Sequence, residues 1–258
     1  SGTTPDEAQV QIALVPFKHY YDGAPKLDSF VVHAFASQNQ LLDSFRKQQL
    51  TAAVGVQNVP PDIAADKSLS RYDLMLTAAN MVFFNTSTGL LADTQIRQAL
   101  VQAAEPSAIM ARLGHATRPV REPLLQGQLA YDPAYAQARY NLAQAKAILD
   151  KDGWVVGKNG IRQKNGQPLS FTLYANNTDE NVIVTRLLQS EWHRLGVNAI
   201  VSLQSSQTLQ STLFGHRYDA WRDGISIGVD PDVFVYWDSS QTDPRSTGLN
   251  LSLYKSAA

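Results

Sequence analysis

The residues best equipped for chemistry lie between Tyr218 and Trp237. Trp221 and Arg222 stand side by side, Asp230, Asp232 and Asp238 follow, and Tyr236 and Trp237 add two rings. A guanidinium meets a carboxylate through a two-pronged hydrogen bond, and aromatic rings supply the apolar walls of small-molecule pockets. These are tools for holding a solute. Arg222 reads either as an anchor for a ligand carboxylate or as an exposed strand charge. Asp230 reads either as a carboxylate offered to a ligand or as the cap of a helix beginning near Asp232. Tyr236 and Trp237 both fall on that helix, so at least one belongs to the core, and Trp221 is the preferred pocket wall.

Catalytic patterns fail one by one. Gly153 to Lys158 imitates a phosphate loop, but its glycines are too close together and Asn159 stands where a hydroxyl would meet magnesium. Histidines 19, 33, 115, 193 and 216 show no metal-binding spacing, and no Gly-x-Ser-x-Gly elbow occurs. The aspartates at 230, 232 and 238 lack the glycine and final glutamate of a calcium loop. No catalytic residue, metal site or cofactor is therefore expected, and an enzyme is not. The 258 residues are 44% hydrophobic and 17% charged, with a net charge of -1 and no cysteine. That balance gives no electrostatic case for nucleic acid or an anionic membrane, and no thiol chemistry or disulfide. No apolar run approaches the ~20 residues that span a bilayer, and no secretory signal opens the sequence.

The pattern of apolar residues predicts alternating strands and helices. Val10, Ile12 and Leu14 alternate with polar residues, a turn at Asp22-Gly23-Ala24-Pro25 follows, and Phe30 to Phe35 forms a second strand. Ser37 caps a helix carrying Leu41, Leu42 and Phe45, and Ala52 to Val56 reads as a buried strand after a crossover. A long connection leads to Met81–Phe84, with a lobe boundary expected near Asn85. Asp93 caps a helix with Ile96, Leu100, Val101 and Ala104 on one face, stopped by Pro106. A short helix to Gly114, a capped start at Asp132-Pro133, and a helix from Asn141 to Gly153 follow. Turns at 157–160 and 164–166 precede a strand with Leu169, Phe171 and Leu173 facing one way. A long helix from Asp179 to Gly196 and a strand from Val197 to Leu203 complete an α/β pattern.

Several of these stretches resemble signatures of the peptide/nickel class of ABC-transporter solute-binding proteins. Phe83-Phe84-Asn85-Thr86 followed by Leu90-Leu91-Ala92-Asp93-Thr94-Gln95-Ile96-Arg97-Gln98-Ala99-Leu100 is similar to the class's strand, loop and helix. Gly114-His115-Ala116-Thr117 with Pro119 and Pro123, Tyr140-Asn141 through Gly153-Trp154, Asn165 to Leu173, Leu188 through Val197, and Asn250 with Tyr254 match further motifs in order.

The resemblance implies a type II periplasmic-binding-protein-like lobe, a mixed sheet flanked by helices, with part of the other lobe. Residues 1–84 correspond to part of lobe I and 85–258 to most of lobe II. The class is about twice as long, so the chain reads as a piece without the terminal segments, its anchor or signal lying outside. The implied role is the extracytoplasmic component of an importer, a monomer that binds a peptide or other small solute between two lobes and partners permease subunits. A ligand-sensing domain of a regulator with the same fold is the alternative. The loop after Trp221 corresponds to the cleft-facing loop, which makes Trp221, Arg222, Asp230 and Tyr236 candidate ligand residues. Asn85, at the junction, serves either the ligand or the hinge. In peptide binders that loop carries a Trp and an amine-pairing Asp. Here those positions hold Ile225 or Gly224, and Gly228 or Ile227, so a buried ammonium would lack its partner.

Overall fold

The computed structural model describes residues 10–256 apart from 57, 75, 115–116, 229 and 244–247. The central residues of the Gly114–Thr117 motif thus lie outside the described residues. Two compact units divide between Ser70 and Arg71.

In the first unit, strands β1 (Val10–Leu14) and β2 (Phe30–Ala34) pair antiparallel, Ile12 opposite Val32. Ile12, Leu14, Phe30, Val31 and Val32 are all exposed, so the ribbon buries neither face. Helix α1 (Gln38–Arg46) starts at Ser37, whose hydroxyl accepts from the Gln40 N–H at 3.3 Å, and Leu42 is buried. Arg46 reaches Asp62 through Nε at 2.8 Å and Nη2 at 3.2 Å, tying α1 to α2 (Pro61–Ala64). The buried strand expected at Ala52–Val56 does not form. Val54 is 88% exposed, because an apolar run becomes a strand only where a neighbouring strand and a core receive it.

The second unit is built on a four-stranded sheet in the order β3-β9-β7-β8, comprising β3 (Ala78–Phe84), β7 (Ser170–Asn176), β8 (Asn198–Gln204) and β9 (Ala220–Ser226). β7 runs parallel to β8 and β9, and β3 is antiparallel to β9. β3 pairs along its whole length with β9 and so belongs to the second compact unit. A small antiparallel sheet of β4 (Val155–Val156), β5 (Arg162–Lys164) and β6 (Gln167–Pro168) flanks it. Asn165 and Gly166 turn that chain with positive φ angles of 52° and 79°, as a tight hairpin requires.

Each face of the main sheet has its own core. On one, Phe171, Leu173, Ala199 and Ala220 pack beneath α3 (Thr94–Ala103), α5 (Leu142–Lys151) and α6 (Asp179–Leu195), through Ile96, Leu100, Ala145, Leu149, Leu188 and Trp192. On the other, Phe83, Trp221 and Ile225 meet Leu209 of α7 (Ser206–Phe214), with Tyr236 and Trp237 of α8 (Phe234–Trp237) against them. The short helix α4 (Pro106–Leu113) closes on left-handed Gly114. The start expected at Asp132-Pro133 is a single 3-10 turn, capped by the Asp132 carboxylate on the Ala134 N–H at 2.9 Å.

Conspicuous motif residues are explained by these joints. The Asp93 carboxylate accepts from the Gln95 N–H at 2.7 Å and starts α3. Arg97, one turn on, donates to the carbonyls of Leu91 and Ala92, both at 2.8 Å, and so closes the preceding 3-10 turn. Asn250 donates to the carbonyls of Asp238 and Tyr254, each at 3.1 Å, pinning the last described segment. At the C-terminus of α6, Gly196 adopts φ 92°, and a Cβ there would lie 2.9 Å from Arg162 Cγ.

Glu191 on α6 is buried and accepts from the Glu105 N–H at 3.0 Å. Burial raises its carboxyl pKa above the usual range, with Glu105 adding to the effect and the Glu105 N–H and Arg194 opposing it. A raised folded-state pKa gives stability that is fully present below the unfolded value of about 4.3 and is lost as pH rises through the folded value. Glu191→Gln keeps an acceptor for Glu105 and removes the charge. The variant is expected to gain stability relative to the parent as pH rises from ~4 to 7, checked by urea midpoints across that range. A pH-independent difference would contradict the assignment.

Candidate ligand-binding site

The parallel strands β8, β7 and β9 end along one edge of the sheet at Gln204, Asn176 and Ser226, where β3 begins. After β7 the chain passes to α6 on one face, and after β8 it passes to α7 on the other. Loops that part to opposite faces leave a crevice at the carboxyl ends of strands, the usual ligand position in open α/β sheets. Its two lips are residues 176–178 and 204–206. The Asn176 amide donates to Ser206 Oγ at 2.8 Å and the Asn177 N–H to the Gln204 carbonyl at 2.9 Å, which fixes the spacing of the lips.

On β9 at this end, Arg222 is only 7% exposed. Its Nη2 donates to Glu180 Oε1 at 2.7 Å, and the Asn80 amide donates to the same oxygen at 3.1 Å. Asn80 pairs across the strands with Gly224, where a Cβ would sit 2.9 Å from Asn80 Oδ1, so the glycine makes room for the network. Arg222 is therefore a buried, internally paired cation and not an exposed strand charge. Its Nε is buried without a hydrogen-bond partner.

The other expected site residues divide. Trp221 is 2% exposed and packs edge-on to Tyr218 at 5.7 Å, so its ring fills the second core and is not an open pocket wall. Trp221 alternates with Arg222 across the strand, and the second core claims its side. Asp230 is exposed in the loop after β9 and does not cap α8, whose N-cap is Val233 without a side-chain cap bond; the Asp232 carboxylate accepts from the Phe234 N–H at 3.0 Å in the turn that leads into it. Tyr236 is half-buried against the second core, and Trp237 packs on Phe83 at 5.7 Å. Asn85 lies at the far end of β3, away from this edge. Its amide donates to the Tyr218 carbonyl at 2.9 Å, its oxygen accepts from Ser87 N and Oγ at 3.0 and 2.7 Å, and its N–H donates to the Asp219 carbonyl. It joins strand ends.

Sequence reasoning missed Gln128, whose side chain accepts from the Leu125 N–H at 2.7 Å and donates to the Gly228 carbonyl at 2.9 Å. That bridge couples the 125–128 loop to the loop after β9. A glutamine in a polar loop carries no local signal of such a role. Asn80, Asn176 and Gln204 were also missed, and their positions at strand ends were the signal available.

The family model for bacterial extracellular solute-binding proteins, family 5 Middle, matches residues 4–246. The chain belongs to this family. Relatives of the chain include Protein XP55 of Streptomyces lividans, 32% identical over 161 residues, 60% of this chain and 29% of that protein. The nickel-binding periplasmic protein of Escherichia coli (strain K12) is 27% identical over 143 residues, 54% of this chain and 26% of that one. Among solved structures, NikZ from Campylobacter jejuni in complex with Ni(L-His) superposes with a TM-score of 0.84 at 21% identity, over 96% of this chain and 50% of the other. AppA from Bacillus subtilis in complex with a nonapeptide gives 0.74 at 23% identity, with the same coverage. The chain spans half or less of each of these proteins. The fold is thus the type II periplasmic-binding-protein-like α/β architecture expected from the motifs. Family 5 is extracellular by description, in keeping with the expected extracytoplasmic location, and among the described residues no helix is long and apolar enough to cross a membrane.

Proposed function

We propose that this chain belongs to the solute-binding component of an ABC importer, which holds a peptide-like or other small solute between two lobes and presents it to permease subunits without chemical conversion. The observation that carries the reading is the family match over residues 4–246, on a unit whose parallel strands end along one edge of the sheet. The second compact unit then corresponds to most of one lobe and the first to part of another. Within it, Asp230 and Tyr236 line the exit from β9, Arg222 supports that edge from beneath, and Trp221 and Asn85 hold the sheet on which the edge rests. The relative named for nickel binding and the neighbour solved with a nonapeptide support solute binding. The ligand-sensing alternative finds no support in them.

Native mass spectrometry of the gene product that carries this chain tests the reading. The expected result is a bound small mass that leaves on denaturation. A protein that carries no such mass, and whose melting temperature no peptide, sugar or metal chelate raises, would refute it.

A further inference from the structure

We propose that the open edge of β8 is a docking site for an extended, acidic segment of another protein, which adds to the main sheet as a further strand. β8 is the outermost strand beside β7, and no described strand pairs with its other side. The Asn198 N–H donates to the Leu169 carbonyl and the Gln204 carbonyl accepts from the Asn177 N–H, so the even-numbered residues of β8 face β7. In a parallel pair both backbone groups of a residue turn to the same side, and alternate residues turn away. Ala199, Val201 and Leu203 therefore aim their N–H and carbonyl groups outward. Ala199 bears this out, since its carbonyl accepts from Gln189 Nε2 at 2.7 Å. No described residue bonds the backbone groups of Val201 or Leu203 from that side.

Edge strands are ordinarily guarded against such pairing by charges, prolines or bulges. Asn198–Gln204 contains no charged residue and no proline, and its register with β7 runs unbroken. The edge is ready to receive a strand. Ile200, 50% exposed, gives an incoming segment an apolar side chain to cover.

The character of that segment is set by the groove beside the edge. Between β8 and α6 runs an open groove of about 300 Å³, lined by Arg186, Gln189, Ser190 and His193 of α6 and by Asn198. No carboxylate lines it. Arg186 is exposed and donates through Nη1 to Gln189 Oε1 at 3.2 Å, and the same glutamine holds the Ala199 carbonyl. Gln189 thus keeps a fixed cation beside the free edge. In strand addition the main chain supplies affinity and alternate side chains supply specificity, so acidic side chains find a partner here and basic ones are repelled. β8 of a second copy has no carboxylate to offer, and charge therefore favours a foreign strand over a copy. The site uses the side of the sheet and does not depend on the solute-binding reading above.

The test is fluorescence polarisation on the complete gene product with labelled peptides of about eight residues, a length that β8 can pair. One alternates valine with glutamate, the other valine with lysine, and both are blocked at each end. The expected result is saturable binding of the glutamate peptide, about tenfold or more tighter than the lysine peptide and weakening as salt is raised. Val201→Pro removes an outward N–H where an edge strand tolerates proline, and is expected to weaken binding about tenfold or more, with folding checked by circular dichroism. Arg186→Glu, a change at an exposed side chain, is expected to reverse the preference between the peptides, and it reports even if the proline variant fails to fold. Glutamate-peptide binding indifferent to both variants places the peptide elsewhere, the solute cleft included, and overturns the site. Equal binding of the two peptides overturns the acidic partner. Binding of neither peptide, or a dimer of the gene product that Val201→Pro abolishes, overturns the proposal and leaves the solute-binding reading intact.

Discussion

Arg162→Ala is expected to destabilise the second unit by about 2–5 kcal/mol, because it leaves two buried carbonyls without their donor at about 1–3 kcal/mol each and removes the packing of a buried stem. Arg162 is 2% exposed. Its Nε donates to the Leu195 carbonyl at 2.8 Å, and its Nη1 donates to the Trp154 carbonyl at 2.7 Å and pairs with Asp150. One side chain thus satisfies the last carbonyl of α6 and a carbonyl just beyond α5, while its own backbone links β5 to Gly196 and Leu169. Alanine strands both carbonyls and leaves a channel the width of the lost side chain. Lysine cannot repair this, because a single ammonium does not reproduce the fork that spans both acceptors. Urea denaturation followed by tryptophan fluorescence checks the result. A shift below about 1 kcal/mol for Arg162→Ala, within the range of ordinary hydrogen bonds, would show that the joint is redundant.

The second large effect is expected at Trp192. The indole is buried between Phe171 and Phe84, with centroids 5.4 and 6.2 Å away, and its Nε1 donates to the Leu100 carbonyl at 3.0 Å. It therefore ties α6 to the sheet through packing and to α3 through a hydrogen bond. Trp192→Ala is expected to cost about 3–5 kcal/mol, the range for large-to-small core substitutions. Trp192→Phe restores much of the volume and forfeits the bond, and should cost about 1–3 kcal/mol for the unpaired carbonyl. Equal losses in the two variants would assign the residue's whole role to the hydrogen bond.

The long elements were legible because their signals are local. Ser37, Asp93 and Asn141 cap the helices expected of them, and Ile96, Leu100, Ala145 and Leu149 face the core as their helical spacing required. Gly196 ends α6 and Asn165-Gly166 turns a hairpin, each a backbone demand written in one or two residues. The site was less legible because its roles are set by contacts across distant segments. Arg222 carries the sequence of an anchor, yet Glu180, supplied by another helix, takes its charge. Trp221 offers a pocket wall by type, yet strand alternation turns it into the second core. Neither Gln128 nor Asn80 announces itself, since each acts on a partner 100 residues away.

The pairing of β3 with β9 has a consequence for the birth of the molecule. Phe84 finds its partner in Ala220, so the edge strand emerges from the ribosome long before the strand that will receive it. During that interval Phe83, later among the most deeply buried side chains, has no core to enter. Closing so long a loop is entropically slow, and an unpaired apolar strand invites association with other chains. Helices α3 to α6 with β7 and β8 can assemble first from nearer contacts, and β9 then completes the sheet by capturing β3. The main sheet thus depends on its last strand to shelter its first, and whatever keeps the chain extended until then protects this segment above all.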